Sequence, residues 1–190
     1  MDRYTTKYIR ILSLFGMLLA GVLGIASVAA ALEVGDQAPD FTLPSTTGEK
    51  IRLSQFQGKK HVLIQFYHID FGPRCTANLS TRKDDFSKFE NLNVQLLGIS
   101  ASNPFSQKTF ADSLKLPFPL LSDFPDLKVI RKYGELKHVG EAKRPMAKGS
   151  FFLIDKQGII RGKWMRMNPP LQIFSSDPFL ELAQQLEKKL

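Results

Sequence analysis

Two apolar runs separated by a helical segment constrain the fold more than any other feature of the sequence. The runs are HVLIQFY, residues 61–67, and NVQLLGISAS, residues 93–102. Apolar runs of this length are typical of strands that are covered on both faces of a sheet. The segment between them predicts a helix from Pro73 to Asn91, since proline is well tolerated at the first helical position, where its missing N–H would have no partner.

The segments around these runs extend the alternation of strands and helices. Upstream, residues 40–43 and 50–53 predict a β-hairpin with Gly48 in its turn. The elements predicted downstream are a helix from Asn103-Pro104, a short strand at 116–123, a third helix at Pro125–Tyr133, a loop at 134–149, two strands around a glycine-containing turn at 150–165, and a C-terminal helix starting at Ser176 or Asp177. This order favours an α/β fold, a central mixed sheet flanked by helices with an N-terminal β-hairpin extension.

The spacing of apolar residues predicts which helix faces are buried. The candidate core residues of the first two helices are Leu79, Phe86, Phe89, Phe105, Phe110 and Leu114. The charged residues of the first helix are predicted to lie largely outside its apolar stripe; they are Arg82, Lys83 and Asp85.

The N-terminal segment predicts export. A basic stretch, MDRYTTKYIR, precedes a run from Ile11 to Leu32 that has no charged residue and ends in small residues. We expect residues 1–31 to be a signal peptide with a cleavage site at Ala29–Ala31, or, if uncut, a membrane anchor formed by residues 11–32. Either alternative places the domain at 32–190 outside the cytoplasm, in the periplasm or another extracytoplasmic space, and leaves the N-terminal segment as its only predicted membrane contact.

Charge and histidine spacing exclude several function classes. The formal net charge is +8, yet no block of five like charges occurs, so binding to nucleic acid is poorly supported. The three histidines, His61, His68 and His138, do not have the spacing of metal ligands with one another or with the cysteine. We therefore expect neither a metal site nor a cofactor.

Cys75 is the only cysteine of the chain and the main candidate for chemistry. It falls in the first turn of the helix that follows the first buried strand. Unpaired backbone N–H groups and the positive end of the helix dipole favour an anion there, and the neighbouring Arg74 adds positive charge. A thiolate is such an anion, so Cys75 is a candidate nucleophile. The alternative is a buried, inert cysteine, a common fate of a single one.

Four stretches carry a resemblance to a known family. They are VGDQAPDFTLPSTTGEKIRLSQFQGKKHVLIQFYHIDFGPRCT, VQLLGISAS, LPFPLLSD and SFFLIDKQGIIRGKW. Together they resemble peroxiredoxins of the AhpC/TSA type, especially the bacterioferritin-comigratory branch, over about residues 33–165. The resemblance implies a thioredoxin-like (redoxin) fold and an antioxidant oxidoreductase of cell redox homeostasis. Its substrate would be a peroxide, hydrogen peroxide or an alkyl hydroperoxide, attacked by Cys75.

The active-site motif departs from the family pattern P-x-x-x-T-x-x-C, in which proline shields the thiolate and threonine and a later arginine hold the peroxide. The aligned residues are His68, Gly72 and Cys75. The resemblance places Lys148 at the position of the arginine, with Arg144 as another candidate. A lysine keeps the charge but lacks the planar fork. The backbone of Gly72, Pro73 and Arg74 is expected to surround the thiolate.

The cysteine that would resolve an oxidised Cys75 is also missing, since Ser80 occupies the position where the resembled branch often has it. A chain with one cysteine cannot close an intramolecular disulfide. We therefore expect an external thiol, thioredoxin-like or glutathione-like, to reduce the sulfenic acid.

Two function classes follow. The first is an exported one-cysteine peroxiredoxin-like thiol peroxidase. The second is a catalytically inactive or weakly active redoxin-fold protein that binds a partner or senses thiols in the cell envelope, because the threonine and the proline of the motif are both lost.

Overall fold

A computed structural model describes residues 31–165 and 175–188. The signal peptide or anchor predicted at 1–31 therefore lies outside the described residues, apart from Ala31. Within the described parts, no helix combines the length and the apolar character that crossing a membrane requires.

The strands form one central sheet and two small hairpins. In chain order they are β1 (Thr42–Pro44), β2 (Lys50–Arg52), β3 (His61–Phe66), β4 (Val94–Ser100), β5 (Leu120–Ser122), β6 (Leu136–Val139), β7 (Arg144–Ala147), β8 (Ser150–Ile154) and β9 (Ile160–Met165). The central sheet has the order β5-β4-β3-β8-β9. Strands β3, β4 and β5 run parallel, whereas β8 is antiparallel to both β3 and β9. The predicted mixed sheet and the N-terminal hairpin of β1 and β2 are confirmed.

In the part of the chain that the structure describes, five α-helices and a short 3-10 helix (Leu53–Phe56) accompany the sheet. The α-helices are α1 (Pro73–Asp84), α2 (Phe86–Asn91), α3 (Pro104–Leu114), α4 (Lys128–Lys132) and α5 (Asp177–Glu187). The single helix predicted from Pro73 to Asn91 is divided at Asp85, whose backbone angles of φ −94° and ψ 8° end α1 and begin α2. Helix α5 begins after Ser176, as the sequence indicates.

The sheet separates two hydrophobic cores because side chains of a strand alternate between its faces. In β3, Val62, Ile64 and Phe66 belong to one core, and Leu63 belongs to the other, together with Tyr67 just beyond the strand. The second core also contains Cys75 and Leu79 from α1, Phe110 from α3 and Phe179 from α5. All six residues of β3 are buried, as expected for a strand covered on both faces.

Three details of the prediction are wrong. Phe105 is 86% exposed, because Phe110 and Ala111 give α3 its buried face and residue 105 projects from the other side. Residues 134–149 contain the hairpin of β6 and β7, whose side chains are mostly exposed and therefore show no apolar periodicity. Arg82 is buried, only 1% exposed.

The burial of Arg82 follows from its position in α1. It lies seven residues after Cys75 and three after Leu79, on the buried face of the helix. Its guanidinium carbon lies 5.6 Å from the ring centre of Phe151 and 5.0 Å from that of Phe179, so both rings contact the cation. Burial lowers the pKa of the Arg82 guanidinium to about 10, and it remains charged at neutral pH.

Candidate functional site

Cys75 lies in the first turn of α1, at the end of the sheet where β3 and β4 finish. The chain leaves β3 at Phe66, and α1 begins at Pro73 with Gly72 as its N-cap. Thr76 N donates to Gly72 O at 2.8 Å, which closes the first helical turn around the cysteine. Ligand sites of open α/β sheets form beyond the carboxyl ends of parallel strands, and Cys75 occupies that place.

A small cavity of about 30 Å³, roughly the space of one water or peroxide molecule, opens beside Cys75. The sulfur-bearing residue itself is only 8% exposed, so the cavity is its route to solvent. The residues that line it come from the end of β3, from the first turns of α1 and from β8; they are Gln65, Phe66, Tyr67, His68, Arg74, Cys75, Asn78, Gly149 and Phe151.

Two of the residues that the sequence predicts around the thiolate, Gly72 and Pro73, hold the backbone of this turn and do not line the cavity. Gly72 is buried and has no hydroxyl to offer a substrate. A Cβ atom added there would lie 3.0 Å from Ile69 Cγ1, so a larger residue would require Ile69 to shift. Arg74, the third of these residues, does line the cavity.

A cationic group from an element that the sequence did not predict contacts a residue of the cavity wall. Lys137, in β6, donates from its ammonium to Nε2 of His68, and His68 lines the cavity. Because residues 134–149 were predicted as a loop, the sequence contained no signal that Lys137 would approach this end of the sheet.

The structure places the two other predicted cations elsewhere. The ammonium of Lys148 donates to the carbonyl oxygen of Gly134 at 2.7 Å, just after α4. The buried residues of α4 belong to the hydrophobic core on the face of the sheet opposite Cys75. Lys148 does not line the Cys75 cavity, and Arg144 is an exposed residue of β7 that does not line it either. Among the described basic side chains, Lys137 contacts His68 in the cavity wall.

A buried polar network supports the turn between β3 and α1. Tyr67 OH donates to Asp70 Oδ1 at 2.9 Å, and Asp70 Oδ2 accepts from Ser106 Oγ of α3. Gln107 Nε2, also from α3, lies 3.1 Å from Tyr67 OH and 2.9 Å from Ser100 Oγ. Burial, followed by the nearby Asp70 carboxylate, raises the pKa of Tyr67 well above its usual value, so its phenol stays neutral. The network fixes Tyr67, one wall of the cavity, against α3.

Gln65 is the polar residue of the cavity wall that lies deepest in the sheet. It is 5% exposed, and its Oε1 atom has no hydrogen-bond partner among the residues that the structure describes. The described residues also hold no group of three or more His, Cys, Asp or Glu side chains arranged for a metal ion.

Comparison with known proteins gives one consistent family. The AhpC/TSA family matches residues 34–163. A curated relative, the putative peroxiredoxin bcp of Coxiella burnetii, is 36% identical over 139 residues, which cover 72% of this chain and 91% of the relative. Peroxiredoxin Q of the chloroplast of Gentiana triflora is 37% identical over 108 residues, 57% of this chain and 49% of the relative.

Solved structures agree with the sequence comparison. The crystal structure of peroxidoxin BcpB from Mycobacterium tuberculosis superposes with a TM-score of 0.68 and 26% identity, covering 84% of this chain and 98% of that one. The thioredoxin-like fold expected from the resemblance is thereby confirmed.

Proposed function

Because the chain belongs to the AhpC/TSA family, we propose that it is a one-cysteine thiol peroxidase that reduces hydrogen peroxide or alkyl hydroperoxides through Cys75. The observation that carries the proposal is the position of Cys75, in the first turn of α1 and beside a cavity lined by Arg74 and by His68, which Lys137 contacts from outside. The nucleophile of the reaction is the Cys75 thiolate, since the thiolate is the reactive form of cysteine.

The reaction is a two-electron transfer from sulfur to the peroxide. The Cys75 thiolate attacks the terminal oxygen of the hydroperoxide, so that an S–O bond forms while the O–O bond breaks. Sulfur becomes a sulfenic acid, and the second oxygen leaves as hydroxide or alkoxide and takes up a proton to give water or an alcohol. Positive charge near the leaving oxygen lowers the barrier because negative charge develops there.

Reduction of the sulfenic acid requires a second protein or a small thiol. The chain has one cysteine, and Ser80, five residues on in the same helix, cannot form a disulfide. One external thiol displaces water from the sulfenic acid and forms a mixed disulfide, and a second thiol then releases Cys75 as a thiol and leaves with the first as a disulfide.

Lys137 supplies charge to the site in place of the family arginine. Its ammonium lies one side chain away from the cavity, hydrogen-bonded to His68, whereas the Lys148 ammonium is bound to a backbone carbonyl outside it. Lys137 is therefore a positioning residue that acts through His68.

The experiment that tests the proposal follows oxidation of Cys75 by one equivalent of hydrogen peroxide in rapid mixing, with a sulfenic-acid trap and mass spectrometry. We expect the wild-type full chain to form a trapped adduct at Cys75 and external thiol to restore the free cysteine. Lys137→Met should slow the oxidation about tenfold, since a nearby charge worth about 1.4 kcal/mol to the transition state is lost. Lys148→Met is the matched control and should stay within about twofold of the wild type.

A wild type without an adduct at Cys75 would contradict the peroxidase and favour a binding or sensing role in the envelope. If Lys148→Met were the slow variant and Lys137→Met were normal, the charge would come from the position that the family alignment indicates.

We further propose that the enzyme acts outside the cytoplasm. The basic stretch before Ile11, the uncharged run to Leu32 and the small residues at its end support export. Expressed with its own N-terminus, the protein recovered from the cell envelope should have the mass of a chain that begins at Leu32. The full mass in a membrane fraction would indicate the uncleaved anchor instead, and the full mass in the cytoplasm would refute export.

A further inference from the structure

Gln65 stands where an apolar side chain would be expected. It lies in β3 between Leu63 and Tyr67, which both face the core beneath α1. Across the sheet its partners are Gly98 in β4 and Phe151 in β8. Phe151 lines the Cys75 cavity together with Gln65. The amide is therefore held inside an apolar environment, at the inner wall of the cavity.

The amide oxygen of Gln65 has no hydrogen-bond partner among the described residues, although the side chain is more than nine-tenths buried. An unpaired acceptor in such a place costs folding free energy, because the group gives up its hydrogen bonds to water and gains none. Unsatisfied groups of this kind are rare in protein interiors. An apolar residue at position 65 would avoid the cost, which makes the amide a candidate for contact with a ligand.

We propose that Gln65 binds the substrate, accepting a hydrogen bond at Oε1 from the terminal O–H of a hydroperoxide. This inference rests on the peroxidase proposed above and adds a substrate-binding residue to it. A hydroperoxide carries its one O–H on the oxygen that the thiolate attacks. An acceptor fixed in the wall of the Cys75 cavity therefore orients that oxygen.

Gln65 also compensates for what Gly72 lacks. Gly72 has no side chain to offer a hydrogen bond, and an added Cβ would press against Ile69. Gln65 lines the cavity from the strand instead of from the helix N-terminus. An amide has both an acceptor oxygen and donor N–H groups, so it can hold a hydroperoxide through either of its two oxygens.

The test compares two reagents that both react at the Cys75 sulfur. Hydrogen peroxide donates hydrogen bonds, whereas methyl methanethiosulfonate reacts with thiolates but carries no hydrogen-bond donor. In Gln65→Leu the rate constant with hydrogen peroxide should fall at least about tenfold, the size of one hydrogen bond made in the transition state. The rate constant with methyl methanethiosulfonate should stay within about twofold, because the thiolate itself is untouched.

The thermal stability of Gln65→Leu is a second test, because stability is expected to stay the same or rise while the reaction rate with hydrogen peroxide falls. Gln65→Leu should unfold at the same temperature as the wild type or at a higher one, since an unpaired buried acceptor is removed. Gln65→Met, which keeps the unbranched shape, serves if leucine packs poorly. Gln95→Leu in β4 is the matched control, because Gln95 is a strand glutamine that does not line the cavity, and it should keep the wild-type rates.

Three results would overturn the inference. The first is that hydrogen peroxide oxidises Gln65→Leu and Gln65→Met as fast as it oxidises a reactive wild type. The second is that the rate constants with hydrogen peroxide and with methyl methanethiosulfonate fall by the same factor in the variants. The third is a wild type that does not react with hydrogen peroxide at all, and that result alone would also overturn the peroxidase.

Discussion

Replacing Cys75 with serine is expected to lower thiol-dependent peroxide consumption by at least about a thousandfold, because the nucleophile that forms the covalent intermediate is lost. A serine hydroxyl is scarcely ionised at neutral pH and does not form a stable oxygen adduct that thiols can reduce. The Cys75 side chain is small and lies at the border of its core, so serine should fit without disturbing α1. The loss should therefore be one of chemistry, with the fold retained.

The measurement is steady-state consumption of hydrogen peroxide by the full chain with dithiothreitol as reductant, together with a thermal unfolding curve of each variant. Ser80→Ala is the matched control on the same helix, and it should retain the wild-type rate since Ser80 takes no part in the one-cysteine cycle. Equal consumption by the wild type and by Cys75→Ser would show that Cys75 is not the peroxidatic residue.

Elements with strong local signals could be predicted from the sequence. The buried strands β3 and β4 were visible as apolar runs, and α5 was visible from the Ser176-Asp177-Pro178 start. Whether such a segment forms a strand or a helix depends on burial and on local backbone preferences, and both can be read from the residue types in the segment itself.

Elements defined by long-range backbone pairing are harder to predict from the sequence. The hairpin of β6 and β7 is held by backbone hydrogen bonds and exposes most of its side chains, so hydrophobic spacing does not mark it. Lys137 could not be assigned to the site for the same reason. Its approach to His68 depends on where this hairpin folds back against the end of β3.

Charged and polar residues inside the core are also hard to predict from the sequence, for a physical reason. Arg82 has a long side chain whose charge can be accommodated between Phe151 and Phe179, and neither ring is near it in the sequence. Gln65 did leave a signal, because it interrupts the otherwise apolar segment from Val62 to Tyr67. A polar residue at the buried end of a central strand is a reason to expect a site beside it.

Gln107 gives the largest expected effect on stability. Its Nε2 atom is buried and lies within hydrogen-bond distance of Tyr67 OH, Ser100 Oγ and the carbonyl oxygen of Leu121. An amide nitrogen carries two hydrogens, so it makes two full hydrogen bonds among these acceptors, and in Gln107→Leu both are lost while the acceptors stay buried. At about 1 kcal/mol for each bond, the free energy of unfolding should fall by about 2 kcal/mol. For a domain of this size that loss corresponds to a melting temperature roughly 4–8 °C lower.

Urea unfolding of the full chain measures this loss. The matched control is Gln184→Leu on the exposed face of α5, which should change the free energy of unfolding by less than about 0.5 kcal/mol. Peroxide consumption should fall as well, because Gln107 anchors Tyr67, and Tyr67 forms the cavity wall next to His68. A variant as stable as the control would mean that Ser100, Tyr67 and Leu121 find other donors. The network would then not be what holds α3 against the end of β3 that carries Cys75.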